Sequence, residues 1–138
     1  MPTRKLFAIL SCEWLPKIGD SEKLLVRFSI VDEVEGSVPG HKDVKPQAVI
    51  VKVSRSVQTA WQKRDSRFLE LANLEKVLLH FVASTIRERV WAGEKLSPDE
   101  ELEITTYSNF VPPDPDTIQM SLGQVEVIEV ERKLGFLH

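Results

Sequence analysis

Four side chains invite a chemical reading first. Cys12 is the chain's one cysteine, Glu75 and Arg89 are charges on or beside an apolar helical stripe, and Tyr107 ends a run of strand spacing. A charge on a buried stripe must be paired or hydrogen-bonded. Glu75 and Arg89 stand fourteen residues apart, about 21 Å along a helix, so they cannot pair with each other within one chain. Either each finds its own partner or overhangs the sheet, or one of them builds a polar pocket between helix and sheet with Tyr107 and Cys12. The second arrangement would make the protein a small-molecule binder or an enzyme. Cys12 shares its strand alternation with Leu10 and Trp14, which favours a small core residue over a nucleophile.

A second set lies on the opposite face of the same helix. His80, Ser84, Arg87 and Trp91 are spaced i, i+4, i+7 and i+11 and line its polar back. Tryptophan has a large apolar area that favours burial. Trp91 there must be covered by the chain's own loops or by a partner, and tryptophan and arginine are enriched among residues that carry binding energy. His80 by itself reads as a solvated surface histidine.

Other chemistries leave no trace. One cysteine and three scattered histidines (His41, His80, His138) give no metal-ligand spacing. No glycine-rich phosphate loop and no nucleophile-elbow serine is present. No metal or cofactor is therefore expected, and no catalytic residue can be named. The basic residues Lys52, Arg55, Lys63, Arg64 and Arg67 with Trp61 are a minor nucleic-acid candidate, disfavoured by overall acidity and the lack of a reading motif.

The 138 residues carry a net charge of −3, unevenly spread. His41 to Trp91 holds ten Lys/Arg and five Asp/Glu, a net of +5; Glu94 to Glu131 holds ten Asp/Glu and Lys95, a net of −9. The two zones can neutralise each other across the fold or form separate surfaces. No apolar run approaches the roughly 18–20 residues of a membrane span, and the apolar stretch behind the basic N-terminus is too short for a signal peptide. With a single cysteine, this predicts a cytoplasmic protein.

The elements that must position these residues follow from periodicity. Strand spacing runs from about Lys5 to Trp14, with Leu6, Ala8, Leu10, Cys12 and Trp14 on one face and Phe7 and Ile9 on the other. A second strand, from Leu24 to about Val31, should pair with it antiparallel. Asp32 to Gln47 reads as a loop, and Ala48 to Val53 as a third strand. Ser56 is a candidate N-cap for a short helix with Val57, Ala60 and Trp61 in phase. Leu71, Leu74, Leu78, Phe81, Val82 and Ile86 form a long stripe from Arg67 to Ala92, stopped at Gly93. One unbroken helix from Val57 to Ala92 would be about 54 Å long. A domain of this size is about 37 Å across. The pattern therefore predicts a break near Arg64 to Ser66.

Ser97 to Glu100 reads as one helical turn, followed by a strand from Glu101 to Tyr107. Val111 to Asp116 is too proline-rich for regular structure. A last strand region covers Thr117 to about Arg132, interrupted at Gly123.

The expectation is one α+β domain over residues 1–138. An antiparallel or mixed sheet of about five strands carries the long helix, with a short one before it, on one face. The leading functional expectation is a non-catalytic binding domain whose partner is a second copy of itself or another protein. A small-molecule pocket and nucleic-acid binding are the alternatives.

Overall fold

The computed structural model describes residues 4–17, 19–33, 46–108 and 110–130. Among the described residues five strands form one mixed sheet: β1 (Arg4–Trp14), β2 (Glu22–Asp32), β3 (Gln47–Val53), β4 (Glu100–Ile104) and β5 (Glu126–Glu129), in the order β4-β3-β2-β1-β5. β1 pairs antiparallel with β2 and β5, β2 antiparallel with β3, and β3 parallel with β4. A parallel pair needs a crossover connection. Here it contains α1 (Arg55–Arg64), a 3-10 turn (Ser66–Leu69) and the long helix α2 (Leu71–Trp91). The expected α+β architecture, with a long helix after a short one, is what the chain adopts.

Alternation puts Leu24, Val26 and Phe28 of β2 on the helix-facing side, in register with Val51, Val49 and Gln47 of β3. Leu102 and Ile104 of β4 extend this face. These apolar side chains are buried, and Leu74, Val77, Leu78, Val82, Ile86 and Val90 of α2 join them in one core. Each such burial contributes about 1.5–3 kcal/mol relative to exposure. The other face carries Leu25, Arg27, Ser29, Ile50 and Lys52, with Ala8 and Ser29 buried near its centre.

A bulge corrects the expected faces of β1. The β1–β2 register shifts between Ile9 and Ser11. The extra residue, Leu10, swings Cys12 and Trp14 onto the side already held by Phe7 and Ile9. Phe7 and Ile9 are therefore core residues, with Cys12 and Trp14 packed against them. The Ile9 carbonyl at the bulge accepts from the Gly123 N–H at 2.7 Å. Gly123 has φ +82°, a conformation that favours glycine.

The helical break falls where length demanded it, in a form the pattern did not show. α1 ends at Arg64, and the 3-10 turn delays α2 from the expected Arg67 to Leu71. An arginine builds this joint. Arg67 donates to Asp65 (3.1 Å from Nε, 2.6 Å from Nη2), and its Nη1 donates to Asp114 and Asp116 at 2.7 Å each. Buried Asn73 donates to the Arg67 carbonyl at 2.9 Å. Trp61, Phe68, Phe81 and Phe110 stack nearby at centroid distances of 4.9–6.0 Å. The joint thus bolts the helix pair to the proline-rich segment, which holds a 3-10 turn at Pro115–Thr117 instead of wholly irregular backbone.

Several boundaries differ from the periodic reading. The α1 N-cap is Ser54, which accepts from the Val57 N–H, and not Ser56. β4 ends at Ile104, where Thr105 begins a turn closed by Ser108. Of the expected strand from Thr117 to Arg132, only Glu126–Glu129 pairs. Ile118 and Met120 instead pack on the core from irregular chain. The loop expected between Asp32 and Gln47 falls mostly on residues 34–45, outside the described residues. Leu71 belongs to the stripe yet is 52% exposed. A helical side chain covers the turn preceding its own position, and Leu71 opens the helix.

Two stability tests follow. Leu78→Ala is expected to cost about 2–5 kcal/mol in urea unfolding, and Leu71→Ala under about 0.5 kcal/mol. Equal costs would mean that the stripe is buried as spacing alone implies. Bonding to Arg67 holds the Asp65 and Asp114 carboxyls below their ordinary 3.8. The stability they give is present above that value and is lost as pH falls through the depressed range. An Arg67→Met variant should show a lower Tm at pH 7 and a shallower loss of Tm below pH 4 than the parent. Parallel curves would contradict the clamp.

Candidate functional site

The two residue sets have different fates. Glu75 and Cys12 meet at the edge of the core, where the Cys12 thiol donates to Glu75 Oε1 at 3.2 Å. The bulge makes this contact by turning Cys12 towards α2. Burial first, then the hydrogen bond and negative charge of Glu75, push the thiol up to about 12. It is therefore protonated at neutral pH and is a poor nucleophile. Arg89 pairs with Glu100, joining the end of α2 to the start of β4. Tyr107 is 93% exposed beyond β4. The expected pocket residues thus occupy separate places: Cys12 with Glu75, Arg89 with Glu100, and Tyr107 in solvent.

The basic segment is also dispersed. Trp61 is buried in the core and offers no face for stacking. Arg67 is engaged by three aspartates. Arg55, Lys63 and Arg64 remain exposed on α1.

The second set stays together. Ser84, Arg87 and Trp91 line one side of an open groove of about 630 Å³, with Glu88. Its other side is β5: Glu126, Val127, Ile128 and Glu129. Trp91 is 50% exposed, so the chain's own loops do not fully cover it. Arg87 Nε donates to Glu126 Oε2 at 2.6 Å, tying helix to strand and forming the wall between this groove and a smaller recess of about 170 Å³. That recess lies over Phe7, Ile9 and Ala83, bordered by Gln119, Met120 and Gln124. His80 lies one turn before Ser84, half-buried. Burial, then the positive charge of Arg87, lowers its pKa below the ordinary 6.5, so it is neutral at pH 7.

Periodicity missed the contribution of β5. Among the described residues β5 is the outermost strand on its side of the sheet. An outer strand presents unpaired N–H and C=O groups, and edges of this kind are often guarded by shortness, charge, proline or a bulge. β5 is four residues long with Glu126 and Glu129, and keeps Val127 exposed between them. Val125, Val127, Leu122 and Trp91 are all large apolar side chains exposed around it. The signal was in the sequence as a Val-Glu-Val alternation, but nothing there said that the strand would be outermost.

Among the described residues no helix is long and apolar enough to cross a membrane, and no three or more His, Cys, Asp or Glu side chains group as metal ligands. The Cys12 environment gives a direct test. At pH 8 a thiol at about 12 holds about a thousandfold less thiolate than one at the ordinary 9.0, and iodoacetamide should react correspondingly slowly in the folded protein. Glu75→Gln should quicken the reaction without restoring the free-thiol rate, because burial, the largest single cause, remains. A parent rate equal to that of a free thiol would contradict the contact.

Comparison with protein-family models, curated proteins and solved structures finds no match to this chain, so the α2–β5 groove is read from its own geometry.

Proposed function

We propose that this protein is a non-catalytic interaction domain that takes up an extended strand of a protein partner on the β5 edge, beside Trp91. The observation that carries this reading is the half-exposed Trp91 beside the outermost strand. Main-chain hydrogen bonds along such an edge supply affinity, and pockets for alternate side chains supply specificity. β5 offers the backbone edge, and the groove between Trp91 and Ile128 offers a place for a side chain. The Arg87–Glu126 bond ties the helix to the strand at the floor of this groove. The other edge, β4, is a poorer candidate: it sets Glu101 and Glu103 on one face, and Lys23 already pairs with Glu101. A free Cys12 thiol fits a reducing, cytoplasmic setting for this role.

The test selects random ten-residue peptides on phage against the full chain and adds the winners to isotopically labelled protein. The Trp91 indole N–H and the amides of Val125 to Glu129 should shift, and Trp91→Ala should weaken Kd at least about tenfold. Peptides that shift only other surfaces, or that bind Trp91→Ala as tightly as the parent, would refute the reading, as would a selection that yields none.

A further inference from the structure

Resting on that docking reading, we infer that the strand received by β5 is the β5 of a second copy, paired antiparallel about a two-fold axis through Val127. Side chains alternate across a sheet, so strands paired antiparallel must bring like faces together. Val127 and Glu129 share a face with Leu6 and Arg4, while Glu126 and Ile128 share the helix side with Phe7 and Lys5. A two-fold axis on Val127 sets Val127 opposite its own copy, Glu126 opposite Ile128, and Val125 opposite Glu129. Each carboxylate then faces an aliphatic side chain. A two-fold axis on Glu126 or Glu129 would oppose two copies of that carboxylate, which destabilises a pair, and one on Ile128 would self-pair a side chain already buried and leave the exposed Val127 opposite Glu129. Acidic as it is, β5 therefore has a self-complementary register in which no two acidic residues stand directly opposite.

The helix side supports the same occupant. An axis perpendicular to the sheet keeps both α2 helices on one face and makes them antiparallel. The α2 side chains beside β5, Ser84, Arg87, Glu88 and Trp91, then border the contact, and Trp91 is half-exposed there. Area argues that strand and stripe act together. Four paired residues span only about 14 Å, too little for the roughly 800 Å² per partner of a stable interface. The rest of the contact must come from Ser84, Arg87, Glu88 and the half-exposed Trp91, which flank β5 in each copy. Within the patch Arg87 is bonded to Glu126, and the axis on Val127 holds the two copies of Glu129 about 14 Å apart, so the acidic side chains of the strand do not confront one another.

The experiment uses the full chain in a Cys12→Ser background. Sedimentation at 50 µM should give about twice the 15.7 kDa chain mass. Under mild oxidation Val127→Cys should form a disulfide-linked dimer, because directly opposed Cβ atoms lie about 4.5–5.5 Å apart, a small shift from disulfide distance. Glu129→Cys, on the same face, should not, because its two copies would stand about 14 Å apart. A dimer that links through Glu129→Cys instead, or through neither, overturns this register. A monomeric mass overturns the second copy as occupant. If that monomer still takes peptides on β5, the docking reading stands and only its partner is wrong.

Discussion

The structure depends on one constraint: a five-stranded sheet must bury its apolar face against a crossover connection that has to fit within the domain. Leu24, Val26, Phe28, Val49, Val51 and Val53 form an apolar floor with no exposed member. α2 is the element that covers it. Its 21 residues reach about 32 Å, close to the width of the domain. The remaining helical sequence therefore had to turn away, and α1, the 3-10 turn and α2 are three pieces of what spacing alone would draw as one rod. Arg67 makes the fold-back specific. Its three carboxylate partners come from the joint itself and from the segment after β4, so one guanidinium closes the crossover against the chain that follows it.

The polar groups at the margins of the core have a related origin. Glu75 and Arg89 sit where the apolar stripe meets the borders of the sheet. Each is satisfied by a partner from a strand: Cys12 through the β1 bulge, and Glu100 at the start of β4. Such pairs fix how α2 lies across the sheet, because a slip of either would leave a partly buried charge without its bond.

How much of this was legible in the sequence can be argued residue by residue. The valine alternation of β3 and the Leu74–Leu78–Val82–Ile86 spacing are local patterns, and they map directly onto elements. The Cys12–Glu75 contact was not legible, because a one-residue bulge at Leu10 inverts every side chain after it and leaves no compositional mark. The short β5 was overextended, because Ile118 and Met120 alternate as a strand would but are drawn onto the core from irregular chain. The Ser84–Arg87–Trp91 face was legible as an anomaly, a tryptophan among polar neighbours. The opposite wall of its groove was hidden, since strand order depends on contacts between Arg4–Phe7 and Glu126–Glu129, more than a hundred residues apart. Sequence thus pointed to half of the candidate site, and only topology supplied the other half.

The central claim is that β5 pairs with the β5 of a second copy, unlike the edge at β4. Amide hydrogen exchange resolved to single residues at two protein concentrations tests it most directly. Raising the concentration from about 1 µM to 100 µM should slow exchange at alternate amides between Val125 and Glu129, while amides along the outer side of Glu100–Ile104 keep their rates. Exchange at both edges that is fast and independent of concentration would contradict it.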